Sequence, residues 1–414
     1  LGALAADPLY SLVDTAFVGN LGTVELGAVA VGTAAFTGSF WLFSFLAYGV
    51  TPRVARALGA GDPRKASSIG VQALLLAVGI GAIVTALGFY FAEPVVRILG
   101  ARGAVVDLSA SYLRIRVLSS VPVLLVTVGH GWLRGAQDTK TPMIIATSGA
   151  VANIGLDYLL IYGLGWGIEG AAWATVIGQL GAALVFLVVV LRRMESPKLI
   201  LDIATMNQLL RVGGDLVIRS AALVAALTLA TAIAARMGLV VLGAWQVTMA
   251  VFSFLALMLD SVAIAAQALV GRYLGVGNRD ESRRVAWRLL GWGTGFGIFL
   301  LVALGALRFP IAGVFSSDPE VIELASGLLL WLALVQPLSA VAFTLDGILI
   351  GASDTRFLAV WMVVASAGFI AVGLLGLSAG WGAAGLAAGA TLWMAIRSAS
   401  LGLRFRGHAW MLHP

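Results

Sequence analysis

The chain has 414 residues, of which 60% are hydrophobic and only 11% charged, with a mean hydropathy of +1.00. Soluble domains carry roughly a quarter charged residues, so this composition excludes a soluble globular protein and describes an integral membrane one. The absence of cysteine excludes disulfides, thiolate nucleophiles and cysteine metal sites, and three histidines, His130, His408 and His413, are too few for a histidine metal cage.

Apolar runs long enough to cross a bilayer, about 17 to 25 residues each, recur along the whole length. Twelve spans are predicted, at 1–19, 26–56, 66–91, 105–134, 142–163, 170–193, 206–236, 243–273, 283–308, 320–350, 357–378 and 383–407. The polar turns between them are too short to fold as a soluble domain. The chain begins with Leu1, part-way into an apolar run, so the native N-terminus and part of the first helix are expected to be missing, and any targeting signal there is not visible.

The pI near 10.0 does not call for nucleic acid. Twelve spans divide the 26 Lys and Arg into 19 on one face, 4 on the other and 3 within spans, which is the positive-inside bias. The crowded face holds Arg53, Arg56, Arg64 and Lys65, then Arg192, Arg193 and Lys198, then Arg272, Arg279, Arg283 and Arg284. It is expected to face the cytoplasm together with the C-terminus, in a multi-pass protein of the cell membrane.

The sequence also repeats. LGTVELGAV at Leu21 resembles MGLVVLGAW at Met237, ARALGAGD at Ala55 resembles GRYLGVGN at Gly271, and LRGAQDTK at Leu133 resembles LIGASDTR at Leu349, each 216 residues apart. GWGIEGAA at Gly165 and GWGAAGLA at Gly380 are 215 apart. Four matches in one order at a near-constant offset imply duplication. The predicted organisation is an N-terminal six-helix bundle (1–193), a cytoplasmic linker (194–205) and a C-terminal six-helix bundle (206–414). An even number of spans per half relates the two by an axis along the membrane normal.

Scaffold residues should recur in both copies, whereas chemistry need occur in one. Asp14 corresponds to Ala230, Asn153 to Phe369 and Asp157 to Gly373, so this polar set belongs to the first half alone. Tyr10 and Asp14, Asn153 and Asp157, and Thr175 and Gln179 are each four apart and share a helix face. A carboxylate at mid-bilayer costs about 2.5–3.5 kcal/mol, so Asp14 and Asp157 read as functional acids. Asp14, Asn153, Asp157 and Thr175 are the candidate ion-coupling set, able to hold a proton or, as hard oxygen donors, a sodium ion. Pro8, six residues before Asp14, is a candidate bend.

In the second half, Asp215 and Arg219 are four apart and read as a self-neutralising helical pair with a structural or gating role. Asp260, Gln267 and Asp346 lack such a local partner and are candidate substrate-cavity residues, with Asp260 and Asp346 expected to approach one another or a shared cavity in the second bundle. Tyr112, Arg114 and Arg116 lie inside span four, where the arginines snorkel outward or line a vestibule.

LVDTAFVGNLG, LGAGDPRKA, LRGAQDTKTP, AIAAQALVGRYLGVGN and LDGILIGASDTR together resemble the multidrug and toxic compound extrusion (MATE) transporters, in their DinF-like branch. The resemblance covers nearly the whole chain. It implies an all-α polytopic membrane protein of twelve transmembrane helices in two parallel-related six-helix bundles forming a V. It further implies export of organic substrates, lipophilic cationic drugs or toxic compounds, against inward flow of protons or sodium by alternating access. In that branch the coupling site matches Asp14, Asn153 and Asp157, the sixth-helix hydroxyl matches Thr175, and the nearby aromatic positions match Tyr10 and Tyr112. Asp346 matches the tenth-helix acid of a second-half cluster used by another branch, whose helix-seven glutamate this chain lacks.

A major-facilitator transporter shares two parallel halves but not the other motifs, and a lipid or polysaccharide flippase usually carries a more basic cavity. A passive channel is distinguished by whether uphill transport needs an ion gradient. An enzyme is not expected, because no HExxH motif and no cysteine occurs and His130 is the only histidine near a span. No cofactor is expected beyond the coupling ion, H+ or Na+. The expected partners are a small organic substrate and membrane lipid, without nucleic acid, and the expected state is a monomer.

Overall fold

A computed structural model of the chain describes residues 16–195, 197 and 200–412. Pro8, Tyr10 and Asp14 lie outside them. Contacts divide the chain into two compact units, Leu1–Arg211 and Val212–Pro414, and every regular element among the described residues is helical.

In the first unit, a helical stretch at 16–19 is followed by α1 (Thr23–Trp41), α2 (Phe45–Gly59), α3 (Pro63–Tyr90), the short α4 (Ala92–Ile98), α5 (Ala104–Arg116), α6 (Ser120–Gly135), α7 (Lys140–Asp157) and α8 (Gly167–Arg193). Helix α9 (Ile203–Arg236) begins before the division and runs into the second unit. There it is joined by α10 (Leu239–Gly275), α11 (Arg279–Phe315), α12 (Pro319–Gly351), α13 (Thr355–Ser378) and α14 (Ala383–Arg406).

Ten helical stretches among the described residues are long and apolar enough to cross a membrane. Their bounds fall within about four residues of the spans predicted from 66 onward, except that the helix predicted to end at 308 runs on to Phe315. The predicted span 26–56 is instead α1 and α2 joined by a 3-10 turn, Leu42–Ser44. A second 3-10 turn, Val117–Ser119, separates α5 from α6, where Pro122 has no N–H to offer the residue four before it. At 1.5 Å per residue, the 37-residue α10 and α11 exceed the roughly 30 Å hydrocarbon core, so their charged ends reach the headgroups.

The repeat is visible at atomic level. Asp62 and Asn278, 216 apart, cap α3 and α11 by accepting from the backbone N–H of Lys65 and Glu281, both at 2.9 Å. Gln137 and Ser353, also 216 apart, are the two non-glycine residues with positive φ among the described residues, 61° and 65°, each just past a helix end. Helix contacts repeat too. A Cβ on Gly131 would lie 3.0 Å from Ala47 Cα, and one on Gly347 would lie 2.3 Å from the Ala263 carbonyl oxygen. Gly135 meets Thr51 and Val54 as Gly351 meets Gln267 and Val270. Only glycine permits backbones to approach this closely, which is how small residues join helices in lipid.

The acids of the two DT motifs close each unit at the end rich in basic residues. Asp138 accepts from the backbone N–H of Lys140 and Thr141, from the Thr141 hydroxyl at 2.5 Å and from Arg193 at the end of α8. Asp354 accepts from Arg404 Nε near the end of α14 at 2.7 Å.

Candidate ion-coupling site

Helix α7 carries Asn153 and Asp157 on one face, and both are buried, Asp157 completely. Asp157 is the last α-helical residue before a π-helical turn, Tyr158–Gly163. Such turns shift the hydrogen-bond ladder by one residue and recur at functional sites.

The face of α8 opposite is set by small residues. A Cβ on Gly178 would lie 3.1 Å from Asn153 Nδ2, and one on Gly170 would lie 2.8 Å from the Leu160 carbonyl. Thr175, between them on α8, is buried, and its hydroxyl donates to the Ala171 carbonyl at 3.0 Å. Asn153 Oδ1 accepts no hydrogen bond from the described residues. The structure therefore packs α7, with its buried amide and carboxylate, against α8, which carries the Thr175 hydroxyl.

The segment just after Asp14 in the chain packs onto the same place. Tyr162 in the π turn donates to the Phe17 carbonyl at 2.6 Å, and their rings meet edge-on at 5.9 Å. Val18, four residues after Asp14, is buried with Ile161, Ile168, Ala171 and Ala172. Asp14, Tyr10 and Pro8 themselves lie outside the described residues.

Tyr112, expected as a substrate aromatic, is packed between helices in this structure. It is 1% exposed, its hydroxyl lies 3.2 Å from Thr33 Oγ1, and its ring fills the space beside Gly32, where a Cβ would sit 2.5 Å from Cδ1. In this structure it is a packing residue between α1 and α5. Arg116 lies over the Phe36 ring at 4.1 Å and donates to Ser119 at 2.6 Å rather than reaching for headgroups.

In the second unit the pairing differs from the one read along the helix. Arg219 is bonded not to Asp215 but to Asp346 on α12, at 2.6 Å, and Arg397 on α14 reaches the same carboxylate oxygen at 2.5 Å. Asp215 accepts instead from the Thr355 hydroxyl at 2.8 Å. The buried carboxylate has no water to solvate it, so it draws the guanidinium that half-buried Asp215 can spare. Asp346 is thus neutralised by two arginines, and Asp260 is half-buried on α10. Gln267 is buried against the backbone of Gly351, with no acceptor for its Nε2 among the described residues.

Arg397 was not singled out from sequence. Its guanidinium also lies over the Trp393 and Phe343 rings at 5.1 and 5.3 Å. The repeat held the clue, since 216 residues before Arg397 stands Gly181 and before Asp346 stands His130.

The MatE family model matches the chain twice, over residues 2–159 and again over 216–374, one copy per half. The chain is 33% identical over 411 residues to DNA damage-inducible protein F of Escherichia coli (strain K12), covering 97% of this chain and 88% of that protein. It is 35% identical over 381 residues to Protein DETOXIFICATION 44, chloroplastic, of Arabidopsis thaliana, covering 87% and 72%. Among solved structures, the fold is similar to the outward-facing conformation of a multidrug resistance MATE family transporter of the MOP superfamily, with a TM-score of 0.89, 20% identity, and coverage of 98% of this chain and 92% of that one.

Proposed function

The chain belongs to the MatE family, and from that membership we propose that it is a secondary active exporter of organic compounds, driven by inward flow of protons or sodium ions through alternating access. The observation that carries this reading is the complete burial of Asp157 at the α7 to π-turn junction, on the same helix face as Asn153, which packs against α8, the helix of Thr175. A carboxylate is costly there unless it binds a cation, and an ion drives a cycle only by binding two states unequally.

In this reading Asp14 joins Asp157, Asn153 and Thr175 in holding the ion, and Tyr10 and Pro8 act where the first helix changes shape. The contact of Phe17 and Val18 with the π turn gives that helix a route to sense the charge on Asp157. The relatives support export of toxic compounds, one similar protein being named the probable multidrug resistance protein NorM of Thermotoga maritima. The C-terminus lies in the cytoplasm on the distribution of Lys and Arg.

The test is transport by the purified chain in proteoliposomes, with proton and sodium gradients imposed separately. Uphill movement of a fluorescent drug under one gradient is the expected result. Movement that only ever equilibrates the drug, whichever gradient is imposed, would identify a passive pathway instead.

A further inference from the structure

A buried guanidinium in the second unit is short of acceptors. Arg397 on α14 is 3% exposed, and a guanidinium carries five N–H donors and no acceptor of its own. Its Nη2 donates to Asp346 Oδ2 at 2.5 Å, but the same oxygen also takes the bond from Arg219 at 2.6 Å. Its Nη1 meets the thioether sulfur of Met394 at 3.5 Å, a weak acceptor, and its Nε has no hydrogen-bond partner among the described residues. A charge so sparsely bonded is costly where no water solvates it.

Two more donors in the same state lie beside it. One turn back along α14 is Trp393, and the Arg397 guanidinium carbon sits 5.1 Å from the centroid of its ring. Trp393 and Met394, with Ser339 from α12, wall a small chamber of about 20 Å³ together with Trp245 and Trp331. Trp393 is 2% and Ser339 1% exposed, and neither the indole Nε1 nor the hydroxyl Oγ has a hydrogen-bond partner among the described residues. The other two indoles of the wall are satisfied, Trp245 by Thr231 at 3.2 Å and Trp331 by Thr391 at 2.8 Å. Ser398, next to Arg397, ties α14 to α12 by donating to the Leu338 carbonyl at 3.0 Å. Buried polar groups are rarely left unpaired, and here three of them gather where α12 meets α14.

The character of the unmet groups selects the ligand. The indole N–H and the guanidinium Nε–H can only donate, and the serine hydroxyl can donate. Donors beside a fixed positive charge repel a cation and suit an anion. The chamber has room for one water-sized body, too little for a carboxylate or a phosphate. We propose that it is a halide site, in which a chloride ion accepts from Trp393 Nε1 and from the Ser339 hydroxyl and gives the Arg397 guanidinium a second counter-charge. Chloride held there braces α12 against α14. The site uses none of the coupling residues and does not depend on the exporter reading.

The test is the thermal midpoint of the purified full chain in phosphatidylcholine nanodiscs as sodium chloride replaces sodium gluconate at constant sodium, pH and ionic strength. Constant sodium and pH hold the coupling site in one state, constant ionic strength removes screening effects, and gluconate is too large for the chamber. A ligand that binds only the folded state raises the midpoint, so chloride, and bromide in its place, are expected to raise it along a saturating curve. W393F keeps the ring and removes the N–H, and S339A removes the hydroxyl. Each should raise the half-saturating chloride concentration about fivefold, as the loss of one hydrogen bond requires. Chlorine NMR line broadening by the wild type, reversed by bromide, reads the same binding without unfolding the chain. A midpoint and a linewidth indifferent to chloride would overturn the proposal and leave water as the occupant, and so would half-saturation in both variants equal to that of the wild type.

Discussion

At Asp138, burial pushes the carboxyl up, but the hydrogen bonds from Thr141 and the Arg193 guanidinium outweigh it and bring the group from 3.8 down to about 2. A folded value below the unfolded one contributes stability that is fully present above about pH 4 and is lost only as pH falls towards 2. Asp138→Asn is therefore expected to cost about 1–2 kcal/mol, lowering the melting midpoint in detergent by the same amount at pH 5, 6, 7 and 8. A deficit that changes across that range would contradict the assignment. Asp346 is a harsher case, because its removal takes the counter-charge from the buried Arg397. Asp346→Ala should cost about 3–5 kcal/mol, read as a large drop in folded yield. A yield equal to wild type would mean the arginines find other anions. The acid at 346 was legible in the sequence but its partners were not, because spacing along one helix reports only neighbours on that helix, and both arginines come from other helices.

At the scale of elements, apolar length was enough to place most of the spans, since a bilayer demands it whatever the packing. Interruptions were harder to read. The π turn at Tyr158–Gly163 follows from how α7 meets α8, where Gly170 lets the Leu160 backbone come close, and no residue in YLLIYG announces it. Helix contacts through glycine were equally hidden in a chain with 51 glycines, because only structure separates those that face a neighbour from those that face open space. Gly347 faces the Ala263 backbone, whereas Gly295 has nothing within 4 Å of an added Cβ. Gly347→Ala should cost about 1–3 kcal/mol by overpacking, while Gly295→Ala should be neutral or slightly stabilising. Equal melting midpoints for the two variants would remove the close approach from the account of how α10 and α12 are held.

For the molecule as a whole, duplication supplied the scaffold twice, and each copy then took different polar residues. The double match of one family model to the two halves, together with the paired caps and glycine contacts, makes the repeat the feature most fully readable in advance. The buried polar residues of the first unit were readable as a departure from it, through Asn153 against Phe369 and Asp157 against Gly373. Orientation can be tested directly because the chain has no cysteine. Arg279→Cys and Ser317→Cys, both at exposed positions, should label differently with a membrane-impermeant maleimide in intact cells, Cys at 317 reacting and Cys at 279 reacting only after lysis. The reverse pattern would invert the topology.

The central claim is that ion binding at Asp157 is what makes transport uphill. Asp157→Asn fixes the site in a neutral form of nearly the same shape, so it should remain folded and still exchange substrate passively. The measurement is export into the lumen of proteoliposomes under an imposed gradient of the driving ion, set against substrate counterflow in the same vesicles. The account predicts that counterflow persists in Asp157→Asn while gradient-driven accumulation falls to the level seen without a gradient. Accumulation equal to that of the wild type, with counterflow also equal, would contradict it.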